Sequence, residues 1–266
     1  MKTNILFSLA ACLLFGCAGK SSKNEASPET TLQTTLQIVF DNVVGNQDLV
    51  LGTTNYSNPL NQTFKVITFN YYVSNLKLQR ADGSEYTVPQ DSSYFLIREE
   101  VLASQTVTLR NLPAGEYVGV SFLLGVDSLR NTMDISRRTG VLDPATGAQG
   151  HYWTWNSGYI FMRLEGSSPE STGSANLIQY HVGGFGGYTS KLDNNIKKIN
   201  LSFGTQKAQV RLDNKPQVKL KIDALKVISG SHLVDFANLP NVMSGANARN
   251  IAENTAQMFA FVSVTP

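Results

Sequence analysis

Several segments of this chain place apolar residues at every second position, and that period constrains the fold more than any other feature. In TLQIVFDNV, Leu36, Ile38 and Phe40 alternate with Gln37, Val39 and Asp41. In KKINLSFG, Ile199, Leu201 and Phe203 alternate with Lys198, Asn200 and Ser202. In QVKLKIDAL, Val218, Leu220 and Ile222 alternate with Lys219, Lys221 and Asp223. Successive side chains of a strand point to opposite faces, so each segment reads as a strand with one buried and one wet face. Antiparallel sheets tolerate that asymmetry, because one of their faces can stay in water.

Turn signals separate such segments: Ala81-Asp82-Gly83-Ser84, Leu112-Pro113-Ala114-Gly115 and Leu212-Asp213-Asn214-Lys215-Pro216. Asp-Gly in particular marks a hairpin. One segment has helical spacing, ANARNIAENTAQMFAFV, where Ala248, Ile251, Ala252, Thr255, Met258 and Phe259 recur and Ser244 is a candidate cap. The expectation is an all-β protein, an antiparallel β-sandwich with one short C-terminal helix. A β-barrel is the alternative.

The first residues read as an address. Lys2 precedes the apolar run ILFSLAACLLF, which is too short to cross a bilayer, and Leu14-Phe15-Gly16-Cys17 follows in the manner of a bacterial lipobox. The expected organisation is a signal peptide over 1–16, a lipidated flexible tether over 17–33 and one β-domain over 34–266, with Cys17 as the lipidation site. That places the protein in the cell envelope, held on the bacterial outer membrane by its acyl chains, on the periplasmic side or at the surface. The tether, AGKSSKNEASPETT, is too polar to bury a core of its own.

Cys12 lies within the signal run, so the domain has no cysteine from which to build a disulfide or a thiolate metal site. The net charge of +2 gives no basic excess of the kind that nucleic-acid binding requires.

Nothing in the pattern assembles a catalyst: there is no GxSxG elbow and no thiol in the domain, so no enzyme is expected. Asp127, Asp134 and Asp143 fit no calcium-loop spacing and read as turn-forming carboxylates. Of the three histidines, His232 sits beside a Gly-Ser turn and reads as solvated. His181, in NLIQYHVGG, shares a strand face with Leu177 and Gln179 and ends the strand at two glycines. There it serves either as a satisfied structural imidazole or as a metal ligand. In HYWTWNSGY an extended chain puts His151, Trp153 and Trp155 on one face. Core filling and the wall of a polar or cofactor-lined cavity are both open for that face. A metal-free module with an aromatic platform for sugar or peptide, formed by this stretch and Tyr188, is the other binding reading.

Four blocks in order carry a resemblance: GVD at 125–127, GVLDPATG at 140–147, YWTWNSGYIFMRLEG at 152–166 and HVGG at 181–184. With FNYYVSNLKLQRADG, LPAGEYVGVSFLLGVD and NIAENTAQMFAFV, they make the chain resemble the MbnP-like copper-binding proteins over almost the whole domain. The resemblance implies a periplasm-side β-sandwich that binds copper through histidine, beside a tryptophan oxidised to kynurenine by a di-haem oxidase of the MauG type. Carried over by position, it implies His181 as a ligand and Trp153 or Trp155 as the oxidised residue; His151, where this chain departs from the family, is a second ligand candidate or a neutral change. Relatives commonly carry Met where this chain has His151, and a histidine near the first strand, where FDNVVGN offers only Asp41 and Asn42. Met133 and Met162 are soft donors that could stand in for it.

Overall fold

The computed structural model describes residues 33–154, 158–187 and 190–266. Cys17 and the leader, Trp155 and Tyr188 lie outside the described residues. Ten strands of five or more residues are described: β1 (Thr35–Val44), β2 (Thr63–Arg80), β3 (Tyr94–Arg98), β4 (Thr106–Arg110), β5 (Gly115–Leu124), β6 (Ile160–Ser167), β7 (Leu177–Gly183), β8 (Lys197–Ser202), β9 (Gln217–Asp223) and β10 (Phe259–Thr265). Among the described residues no helix is long and apolar enough to cross a membrane.

These strands make two sheets. The smaller has β9 between β10 and β1, with β4 antiparallel to β1. The larger is built on β2, which pairs antiparallel with β6 over its first half and with β5 over its second. β3 takes the opposite edge of β2 at Asn70–Ser74, β7 extends the sheet beyond β6, and β8 extends it beyond β5. The alternating residues meet between the sheets: Leu36, Ile38, Phe40, Val218, Leu220 and Ile222 are all fully buried. Phe40 and Phe259 of the smaller sheet interlock edge-on with Tyr71 and Phe122 of the larger, at centroid distances of 5.2–6.3 Å.

The all-β sandwich is therefore as the alternation predicts, and several details differ. β1 and β9 run parallel, as do β7 and the short strand Asn241–Val242, so the sheets are mixed. There are three short helices among the described residues, over Ser128–Thr132, Leu225–Ser229 and Gly245–Thr255. The last stops before Met258, and Phe259 opens β10. Ser244 sits at its N-cap position without a side-chain bond. The Asp82-Gly83 turn closes a hairpin, with Gly83 at φ 85°. The other two turns carry the chain from one sheet to the other.

A buried polar chain crosses the core: Tyr71 donates to Asn42 Oδ1 at 2.9 Å, and Asn42 Nδ2 donates to Glu99 Oε2 at 2.8 Å. Burial pushes the Glu99 carboxyl up to about 7 against the Asn42 bond, with Asp48, Glu100 and Asp41 adding to the rise. A carboxyl raised in the folded state favours the protonated fold, so its contribution is full below the unfolded value of 4.5 and is lost as pH climbs through about 7. At 1.36 kcal/mol per unit, halved because the group is only half-buried, the loss is on the order of 1–2 kcal/mol. Glu99→Gln is expected to stabilise the protein by that amount at pH 8 and to flatten stability between pH 5 and 8. Urea unfolding at both pH values measures it, and an unchanged pH slope in the variant would refute the assignment.

Candidate functional site

The larger sheet's outer face divides into two halves. Phe69, Tyr71, Met162, Leu164, Tyr180 and Val182 point into the main core. Their strand neighbours point outward. Tyr72, Leu96 and Phe161 form a second buried cluster with Val126, Leu142, Ala148, Tyr159 and Phe185, under the excursion that runs from 125 to 159. One residue pair further along the strands, the same face turns polar. Arg98, Asn70, Arg163 and His181 form one row across β3, β2, β6 and β7. Thr68, Glu165 and Gln179 form the next.

The excursion is folded by its own turn chemistry. Asp127 caps Ser128–Thr132 by accepting from Arg130 N, Asp134 accepts from Ser136 N, and Asp143 accepts from Ala145 N and from the Thr146 hydroxyl. These carboxylates are turn formers, and among the described residues no cluster of three or more His, Cys, Asp and Glu is arranged to hold a metal ion. Asn131 clips the excursion to the Trp hairpin. Its Nδ2 donates to the Val126 carbonyl at 2.7 Å, and its Oδ1 accepts from Tyr159 N at 3.1 Å.

HYWTWNSGY begins as one arm of a hairpin. Tyr152 bridges Tyr159, Trp153 N donates to the Gly158 carbonyl at 2.8 Å, and Ile160 N donates to the His151 carbonyl at 2.9 Å. Tyr152 and Tyr159 stack edge-on at 5.0 Å. Trp153 lies over the end of β7: a Cβ on Gly183 would come within 2.7 Å of the indole and 2.5 Å of the Tyr159 carbonyl oxygen. Gly183 is therefore a space requirement, not a flexibility requirement.

His151 is fully buried beside Tyr72, ring centroids 6.2 Å apart. Its Nδ1 lies 3.1 Å from both the Ala148 and Gln149 carbonyls, so that nitrogen carries the proton. Nε2 keeps the lone pair and has no hydrogen-bond partner. Burial pushes this imidazole down to about 4, the Gln149 bond opposes that, and the Arg163 charge adds to it.

His181 is 8 % exposed and its Nε2 donates to Glu165 Oε1 at 2.8 Å. Burial lowers its pKa against the pull of Glu165. Burial alone would raise Glu165, but bonds from Arg163 and then His181 outweigh it and hold the carboxyl below its usual range. A neutral His181 donating from Nε2 has its lone pair on Nδ1.

The structure thus brings His151, His181 and Trp153 to one side of one sheet, linked by Arg163, the cross-strand partner of His181 and a charge felt by both rings. It does not bring the other candidates there. Met162 faces the main core, and Met133 accepts from Arg130. Asp41 pairs with Lys219, Asn42 is bound to Tyr71 and Glu99, and His232 pairs with Glu253 near the surface. Arg163 and Glu165 were open to sequence reading through the alternation of FMRLEG, but only the register of β6 against β7 shows that they meet His181.

Two donor nitrogens on neutral imidazoles, one of them buried and unpartnered, suit a metal that accepts imidazole ligands. No curated protein sequence matches the chain. Among solved structures, MbnP from Methylosinus trichosporium shares the fold at a TM-score of 0.53 and 17% identity, over 80% of this chain and 82% of that one. The MbnP family model matches residues 33–244. With most of the domain matched, the chain belongs to the MbnP family.

Proposed function

We propose that this protein is a lipid-anchored, non-enzymatic copper-binding protein of the bacterial cell envelope, with His151 and His181 as ligands. The observation that carries the reading is His151 Nε2, a fully buried ring nitrogen without a partner on the face that also holds His181. An unmet polar atom inside a protein is costly, and a metal would satisfy it. Imidazole is a fitting donor for copper. Arg163 and Glu165 then orient His181, and the excursion keeps bulk water from His151. Bound copper would be carried, not used in a reaction. One of Trp153 and Trp155 is proposed to be opened to kynurenine by a partner di-haem oxidase.

Two measurements test this. The full chain, purified in detergent, is expected to take up about one copper with saturation. The tryptic peptide 139–163 from cells that express the oxidase is expected to depart from its unmodified mass. No saturable uptake would remove the copper reading, and an unmodified peptide would remove the kynurenine reading. A metal-free aromatic platform is less well served, because Tyr152 is taken up by Tyr159 and by the Arg138 guanidinium 5.4 Å away.

A further inference from the structure

The excursion encloses a second site that copper binding does not use. Arg130, Arg137 and Arg138, with Asp91, Tyr94 and Val141 among the other walls, line a cavity of about 370 Å³. Three guanidiniums face one carboxylate there. Arg138 is only 8 % exposed, and among the described residues no carboxylate pairs with it. Its charge is met by the Asn131 and Met133 carbonyls at 2.7–3.0 Å and by the rings of Tyr152 and Tyr159, while Nη1 has no hydrogen-bond partner. Arg137 is exposed and makes no close ion pair among the described residues, although the charges of Arg137 and Arg138 both help to hold the nearby Asp134 carboxyl low. Arg130 lies over Tyr94, bonds to the Asp91 carboxylate through one terminal nitrogen and donates from the other to the weak acceptor Met133 Sδ at 3.4 Å. Its Nε is buried without a partner. The Asp91 side chain is itself 89% exposed, so it meets the cavity from solvent.

Three guanidiniums against the carboxylates of Asp91 and Asp134 leave an excess of positive charge, and a buried guanidinium nitrogen without an acceptor is costly, so the cavity favours an anion. The geometry points to a binding site for a small monocarboxylate with a short alkyl tail: its head would share Arg130 and Arg137, over the charge of Arg138, and its tail would lie against Met133, Val141 and Leu142. Asp91 is the internal competitor for Arg130. The guanidinium fork takes carboxylate or phosphate, and the alkyl tail adds contact with Met133, Val141 and Leu142 that a phosphate lacks.

Calorimetric titration of the full chain in detergent with butyrate, and separately with inorganic phosphate, tests the assignment. Butyrate is expected to saturate one site and to bind more tightly than phosphate. Arg137→Gln should weaken butyrate binding about two- to fivefold, the scale of one exposed charge pair. Asp91→Asn should strengthen it by a similar factor by releasing Arg130. Both positions are exposed, so thermal unfolding of each variant should stay at the parent value. Absence of saturation, phosphate binding as tight as butyrate, or affinities that neither substitution moves would overturn the proposal. None of these outcomes depends on copper.

Discussion

Replacing His181 with alanine is expected to weaken copper binding by more than about 100-fold. Loss of a second-shell partner alone typically costs about 10- to 100-fold, and the loss of a ligand exceeds that. The fold should survive, because Glu165 keeps two bonds from Arg163, at 2.8 and 3.0 Å, when the imidazole goes. His151→Ala should lose copper to a similar degree, although it also empties a fully buried site and costs stability. His151→Met is the informative control. A thioether is a soft donor for copper(I), so binding should stay within about tenfold of the parent. Competition with a chromophoric copper chelator reads all three. Unchanged affinity in both alanine variants would sink the ligand assignment, with circular dichroism confirming that each remains folded.

Much of this was legible in the sequence, for a physical reason. A strand whose neighbours alternate in polarity states which residues are buried, so Leu36, Ile38, Phe40 and Leu220 were placed in the core by their spacing alone. Alternation says nothing about strand direction. The parallel pairing of β1 with β9 joins Gln37–Val43 to Gln217–Asp223, far along the chain, and leaves no local mark. Turn residues report a reversal, not a destination: Leu112-Pro113-Ala114-Gly115 links β4 to β5 in different sheets. Phe259 fitted the helical period as well as the strand period, and the helix ended before it. The face of His181 followed from alternation, while its bond to Glu165 depended on register across two strands. Arg138 had no signal in the sequence, because its burial depends on how the excursion folds over Tyr152 and Tyr159.

Phe40→Ala is expected to destabilise the protein by about 3–5 kcal/mol, the usual range for removing a buried phenyl ring. Phe40 has no exposed surface and is one of four rings that close a circuit between the sheets: it meets Tyr71 and Phe122, and both of those meet Phe259. Removing it leaves a cavity and breaks two edge-on contacts at once, each worth about 0.5–1.5 kcal/mol beyond its buried area. The backbone around the cavity has little freedom to collapse, because Phe40 sits in mid-strand with Leu220 as its Cα partner on β9. Tyr71 also loses its packing while it holds Asn42, so the polar chain to Glu99 loosens with it. Leu102→Ala, at a residue 80% exposed, serves as the control and should change stability by less than about 0.5 kcal/mol. In urea, the Phe40→Ala midpoint should fall with little change in slope, since both sheets would still unfold together. A loss below about 1 kcal/mol would show that the circuit does not tie the sheets. A second transition appearing in the variant would show instead that the rings couple two units able to unfold separately.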